Sequence, residues 1–305
     1  MTNTHTKPFI RKLGTIDCGL VEATPVVFGG KLYRFEYVRE PHFYPPNTTG
    51  TSYFRFVDVE TGAATPGFAA GYHLGSAFVD GDTAYAFGVP LWGQDRTQVF
   101  CSTDLVNWSD RTALSLPGWG IYNTSVCKGP DRYIMAFEVG EPEELVGKRF
   151  TNFFAASKDC LNWNLLPPED HVFTRDRYSA CPAIRYFAEH YYMIYLEAVP
   201  HPEDDAAFVP YIVRTTDLVH WESSPLNPVM EYSDDDRQIA NPNLTNEQRK
   251  GIRTAYNRNN SDVDLCEYNG RVVIYYSWGS QRGTEHLAEA RYDGSLERFV
   301  KGFFP

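Results

Sequence analysis

The sequence predicts an all-β fold, a single domain spanning residues 1–305 and built as a five-bladed β-propeller. Three observations predict it: a turn motif that recurs every fifty residues or so, an apolar hairpin ahead of each copy, and a scarcity of helical periodicity.

The turn motif is clearest in three near copies, Ser102-Thr103-Asp104-Leu105-Val106-Asn107-Trp108, Ser157-Lys158-Asp159-Cys160-Leu161-Asn162-Trp163 and Thr215-Thr216-Asp217-Leu218-Val219-His220-Trp221. Weaker relatives flank them at Val57–Gly62 and Tyr292–Leu296, so the five aspartates lie 46, 55, 58 and 76 residues apart. The aspartate can accept backbone N–H bonds within its turn, supported by the Ser or Thr, and the tryptophan needs an apolar bed between sheets. These residues therefore read as structural.

Each copy follows an apolar strand, a short turn and an aromatic-rich strand, as in Thr24–Tyr33, Ser76–Tyr85, Ser125–Tyr133, Pro182–Tyr191 and Val263–Val272. These are hairpins closed by tight turns such as Gly29-Gly30 and Asn269-Gly270. With a fourth strand per unit they give blades over roughly 15–66, 67–115, 116–170, 171–228 and 229–305. The one helical candidate, Thr245 to Tyr256 with Thr245 as cap and Glu247 in the first turn, lies in the insertion that lengthens the last interval.

Composition bounds the function. Hydrophobic residues at 43% and charged residues at 22% fit a well-buried globular chain. A net charge of -11 disfavours nucleic acid. No stretch approaches membrane-spanning length, and no basic start leads into an apolar run. The six cysteines are widely spaced without a C-x-x-C pair, which predicts free thiols in a reducing, cytoplasmic setting and no structural zinc. No cofactor motif occurs; a calcium ion on the axis would fit a propeller, but no motif marks it.

In a propeller the first strand of each blade lines the axis, so its start, the end of the second strand and the loop after it share one face. Those loops are long and polar-aromatic here: Arg39 to Gly50 with His42, Phe43 and Tyr44; a loop with Trp92; Glu138 to Phe150; Glu197 to Val209; and one with Trp278, Gln281 and Glu285. Elaborated loops on a rigid scaffold mark a binding face. Counting eight residues back from each turn glycine or its equivalent aligns Glu22, His73, Asn123, Cys181 and Asp262, with Arg177 and Tyr178 just before Cys181. Carboxylates at such a mouth are either held for chemistry or tied into salt bridges, Glu22, Asp262 and Asp264 with Arg177 among them. Glu36, Glu138 and Glu197 read as one repeated position at the end of the second strand, with Glu197 favoured by its acidic loop of Glu203, Asp204 and Asp205. His73 has no second histidine nearby and reads as a hydrogen-bonded residue.

The Asp-Leu-x-x-Trp turns, the repeated hairpins and the segment Asn259-Asn260-Ser261-Asp262-Val263-Asp264-Leu265-Cys266-Glu267 resemble glycoside hydrolase family 43 and its relatives in families 32 and 117, as an atypical branch. The resemblance covers about the whole chain. It implies a glycosidase with an axial carboxylate from blade one as base or nucleophile, an Asp from blade three that tunes its pKa, and a Glu from blade four as acid. Glu22 falls at the first position, Asn123 at the second and Ala180 at the third, so the usual acid is missing. Asp262, Asp264 and Glu197 are the candidate replacements.

The expectation is therefore a glycosidase acting on a small carbohydrate, with Glu22 as base or nucleophile and Glu197 or Asp262 as acid. Arg177, Tyr178, His73, Asn123, Asp264 and Gln281 would line the substrate, and Trp92, Trp119 and Trp278 would stack on sugar faces. The alternatives are a sugar-binding propeller without turnover, a protein-interaction propeller, and a lyase using Tyr178 and His73.

Overall fold

The computed structural model describes residues 6–40, 51–203, 206–281 and 283–305. Its strands, in chain order, open with β1 (Arg11–Cys18), followed by five repeated sheets. The first sheet is β2 (Ala23–Phe28), β3 (Lys31–Glu40) and β4 (Thr51–Asp58). The second is β5 (His73–Asp80), β6 (Thr83–Val89), β7 (Arg96–Ser102) and β8 (Ser109–Ser115). The third is β9 (Gly120–Lys128), β10 (Tyr133–Glu141), β11 (Thr151–Ser157) and β12 (Asn164–Leu165). The fourth is β13 (Ala180–Phe187), β14 (His190–Val199), β15 (Ala207–Thr215) and β16 (Glu222–Ser223). The fifth is β17 (Asn259–Tyr268), β18 (Arg271–Gly279) and β19 (Glu285–Asp293), with β1 as its outer strand. All pairings within these sheets are antiparallel, and the inner strands β2, β5, β9, β13 and β17 neighbour one another around the axis. The chain is a five-bladed β-propeller.

Two details refine the sequence reading. Residues 15–18, placed in the first blade from sequence, pair through β1 with β19 and belong to the fifth. The first blade gains its fourth edge from residues 64–68, which bridge back to β4 through Phe54↔Phe68 and Val57↔Ala64.

The aspartate turns hold the blades as their chemistry requires. Oδ1 of Asp104 accepts the N–H groups of Val106 at 2.9 Å and Asn107 at 2.8 Å, and Asp159 and Asp217 repeat the pattern. Leu105, Cys160 and Leu218 follow with φ near +60° (61°, 62° and 63°), a conformation that these side-chain bonds stabilise. Each tryptophan then packs on the preceding blade. Trp108 stacks on Phe68 with ring centres 3.9 Å apart, Trp163 meets Phe87 edge-on at 5.9 Å, and Trp221 stacks on Phe154 at 5.4 Å. The fifth relative ends differently: Ser295 caps a short helix over Leu296–Lys301. The helix read from sequence is present as Asn246–Thr254, with Thr245 and Gln248 forming a capping box. Among the described residues no helix is long and apolar enough to cross a membrane, and all six cysteines are unpaired.

Candidate active site

The hairpin turns fix the register of every inner strand. Six residues before the closing pair of each hairpin stand Glu22, Leu74, Asn123, Cys181 and Asp262, one per blade. Around this level β5, β13 and β17 slip out of ladder register, and Leu74, Cys181 and Asp262 take φ of 51°, 52° and 50°. Such bulges re-aim side chains. Here Glu22, Asn123, Cys181 and Asp262 line a small axial cavity of about 40 Å³, joined by Ser76 and Asp264.

The residue equivalent to Glu22 in the second blade is Leu74, which corrects the sequence alignment of His73. Gly81 is the first of its two turn residues, whereas Gly30 and Gly270 are the second of theirs. His73 sits one step outside the ring, buried, with Nδ1 2.6 Å from the Tyr37 hydroxyl, and burial with the nearby Arg39 holds it down at about 4.

Four buried or half-buried carboxyls meet at this end of the axis. Burial pushes Glu22 up to about 7, with Arg39 opposing the rise and Asp262 adding to it. Its Oε2 lies 3.9 Å from the Arg39 guanidinium and has no hydrogen-bond partner among the described residues. Asp262 is also raised by burial, against the Ser261 hydroxyl, the Cys181 thiol and Arg39, which favour its charged form. Glu138 reaches in from β10: its Oε2 accepts the Cys181 N–H at 2.8 Å and the Asn123 amide at 3.2 Å, while burial pushes it up to about 7. Glu285, on β19, accepts from the Ser277 hydroxyl at 2.9 Å and the Gln281 N–H, and burial raises it to about 7. Burial and mutual charge thus raise all four carboxyls of this cluster.

Glu36, Glu138 and Glu197 are not one repeated position. They stand five, six and seven residues beyond the first residue of their second strands' hairpin pairs, Lys31, Arg132 and His190, so they occupy three successive positions on alternating faces. Glu36 is fully buried between Arg34 at 2.5 Å and Arg55 at 2.6 Å, a structural ion triad. Glu197 accepts from the Tyr195 hydroxyl at 2.9 Å and feels Arg177 and Asp176. These partners place Glu197 between the third and fourth blades, apart from the axial cluster. The supporting argument from Asp204 and Asp205 lies outside the described residues, as do His42, Phe43 and Tyr44 of the first loop.

Arg177 is exposed and pairs with its neighbour Asp176 at 3.1 Å, so the expected salt bridge to the axial acids is not made. The cation on the cluster is Arg39, which also lies over the rings of Tyr37 at 5.0 Å and Trp92 at 5.5 Å. Tyr178 is half-buried against Phe208, and burial together with Cys181, Glu138 and Asp262 raises its hydroxyl well above the usual range. Asp264 lines the cavity but is tied to Arg185. The Gln281 amide donates to Ser261 Oγ at 3.1 Å. Trp278 is fully buried and donates its indole N–H to Thr15 Oγ1 at 2.9 Å, so it presents no face to a sugar. Trp119 packs edge-on to Phe153 within the wall. Among the described residues no three His, Cys, Asp or Glu side chains are arranged to hold a metal ion.

No family model matches the chain, and no curated protein matches it. Solved structures do. A glycoside hydrolase matches over 93% of this chain and 91% of its own, at 13% identity and a TM-score of 0.61. The chain has the fold of the propeller glycoside hydrolases. An α-L-arabinofuranosidase from Fusarium graminearum, solved with an iminosugar inhibitor, matches over 93% of this chain and 98% of its own, at 12% identity and a TM-score of 0.57. A xylan β-1,4-xylosidase from Bacillus halodurans matches over 92% of this chain but 54% of its own, at 12% identity and a TM-score of 0.59.

Two members of the cluster were named in the sequence without their link to the axial acids. Glu285 lies four residues past Gln281 on a returning strand, and only the pairing of β18 with β19 brings it beside Ser277. Glu138 was visible as a strand-end acid, but its grip on Cys181 spans 43 residues of chain.

Proposed function

We propose that this protein is a glycosidase that cleaves a small glycoside at the axial cavity with paired carboxyl groups, Glu22 as base or nucleophile and Asp262 as acid. The observation that carries the reading is the charge interaction of Glu22 and Asp262 across a shared cavity, with Glu22 Oε2 free of hydrogen bonds from the described residues. Glycoside cleavage needs one carboxyl that holds a proton and one that is charged. Arg39 beside Glu22 favours the charged form there. Burial raises Asp262 as well as Glu22, so the pair is suited to hold one proton between them and to give it to the leaving oxygen.

The test is hydrolysis of a panel of aryl furanosides and pyranosides by Glu22→Gln and Asp262→Asn. Each is expected to lose about 10³-fold in kcat with its fold intact. Parent activity should rise as pH climbs through about 7 and Glu22 loses its proton. Full activity in Glu22→Gln rejects the assignment.

A second reading rests on Asn123 and Ala180, which stand in blades three and four where the resemblance implies carboxyls. It makes the protein a sugar receptor. Sugar-dependent stabilisation of the parent without turnover would support it over the first.

A further inference from the structure

Asp262 stands in the stretch of β17 that its ladder does not hold. The pairing with β18 runs through Asn259, Asn260 and Ser261, breaks, and resumes at Asp264 opposite Tyr275. Asp262 itself is left-handed, with φ of 50°. A residue so placed is aimed by whatever fixes the chain on either side of it.

Upstream the fixture is Asn260, fully buried and held at both ends of its amide. Its carbonyl oxygen accepts from Lys12 Nζ at 2.8 Å, and its NH₂ donates to Asp236 Oδ2 at 3.2 Å. Lys12 and Asp236 are themselves an ion pair at 2.7 Å, their side chains 9% and 0% exposed. Asp236 also accepts from the Tyr276 hydroxyl, the Asn257 amide and the Ser233 N–H. This hub joins three remote parts of the chain: β1, the insertion before β17, and β17 itself. Downstream the fixture is Arg185 on β13, which donates to Asp264 Oδ1 and to the Leu265 carbonyl at 2.6 Å, while its other terminal nitrogen donates to the Ile184 carbonyl at 2.7 Å.

We infer that two ion pairs, the buried Lys12–Asp236 acting through Asn260 and the half-buried Arg185–Asp264, are the positioning devices that aim Asp262 at the axial cavity. Neither Lys12, Asp236 nor Arg185 lines that cavity. The groups Asp262 faces there are Glu22 ahead of β2, Arg39 on β3, Glu138 on β10, the Cys181 thiol on β13 and Glu285 on β19. Loosening either anchor shifts Asp262 among them, and a displacement of about an ångström costs on the order of a hundredfold in rate. The inference rests on the assignment of Asp262 made above.

The experiment compares Asn260→Ala, which adds or removes no charge, with Arg185→Met. Each is read by melting temperature, by kcat and KM, and by titration of the Asp262 carboxyl carbon in NMR. The expected result is a folded protein with kcat lowered about tenfold or more, KM within about twofold, and an Asp262 midpoint displaced by about half a pH unit or more. In an Asp262→Asn background, Asn260→Ala should change kcat by less than about twofold, because the residue it positions is gone. Folded variants with the parent's kcat and the parent's Asp262 midpoint overturn the inference, whichever way Asp262→Asn behaves. Full activity in Asp262→Asn overturns instead the catalytic assignment on which the inference rests.

Discussion

Replacing Glu138 by Gln should make the protein more stable at pH 8 and leave it unchanged near pH 4. The carboxyl is 3% exposed and is raised from 4.5 to about 7 in the folded protein, chiefly by burial. A folded pKa above the unfolded one means that the protonated form is the favoured guest. Its stabilising contribution is complete below 4.5 and is lost as pH climbs to about 7. At about 1.4 kcal/mol per pH unit, the loss comes to roughly 3 kcal/mol. Gln carries no charge to bury. Both hydrogen bonds to Glu138, from the Cys181 N–H and the Asn123 amide, land on Oε2. A Gln with its oxygen there keeps both and places its NH₂ where the proton sat. Melting curves of parent and variant between pH 4 and 8.5 should converge at the acid end. At pH 8 they should separate by up to about 3 kcal/mol, which is on the order of 5 °C for a chain of this size. Equal pH slopes in the two proteins, or a variant less stable than the parent at pH 8, would refute the reasoning.

Other perturbations have opposite signs. Glu36→Ala strips the anion from between Arg34 and Arg55 and leaves two half-buried guanidinium groups facing each other, a loss of up to about 3 kcal/mol in urea unfolding; a loss under about 1 kcal/mol would show that the triad relaxes freely. Asp159→Ala removes the acceptor of two backbone N–H groups in its turn and should cost about 1–2 kcal/mol, a cost that vanishes in acid as the depressed carboxyl of the parent takes up its proton. Stability curves for Asp159→Ala that stay parallel to the parent's down to about pH 2 would contradict the turn's assigned role.

The fold was readable because its signals are local. An Asp that caps its own turn, a Trp four residues later and a two-residue hairpin are all written within ten residues, and all recur. The cluster was half readable for the same reason. Glu22 and Asp262 fall at a fixed offset from their turns, whereas Leu74 displaces His73 because the two-residue turns do not carry glycine at the same place. The strand-end acids misled because a one-residue difference in offset reverses the face of a strand. Glu197 consequently looks toward the third blade and Glu138 toward the fourth. Asp236 was hidden in the run Asp234-Asp235-Asp236, which reads as a solvated acidic stretch; only its third member is buried. Arg39, the cation of the site, sat at the edge of a loop with nothing in its neighbours to single it out.

Because β1 lies outside β19, the sheet that carries Asp262 is sewn together from segments far apart along the sequence. During synthesis β1 must wait for β19, an arrangement of high contact order whose loop-closure cost falls late. Until then β1 is a bare edge open to wrong partners. Lys12, on that same strand, reaches its buried acid only when the circle closes, so assembly of the ring and assembly of the acid-bearing wall are one event.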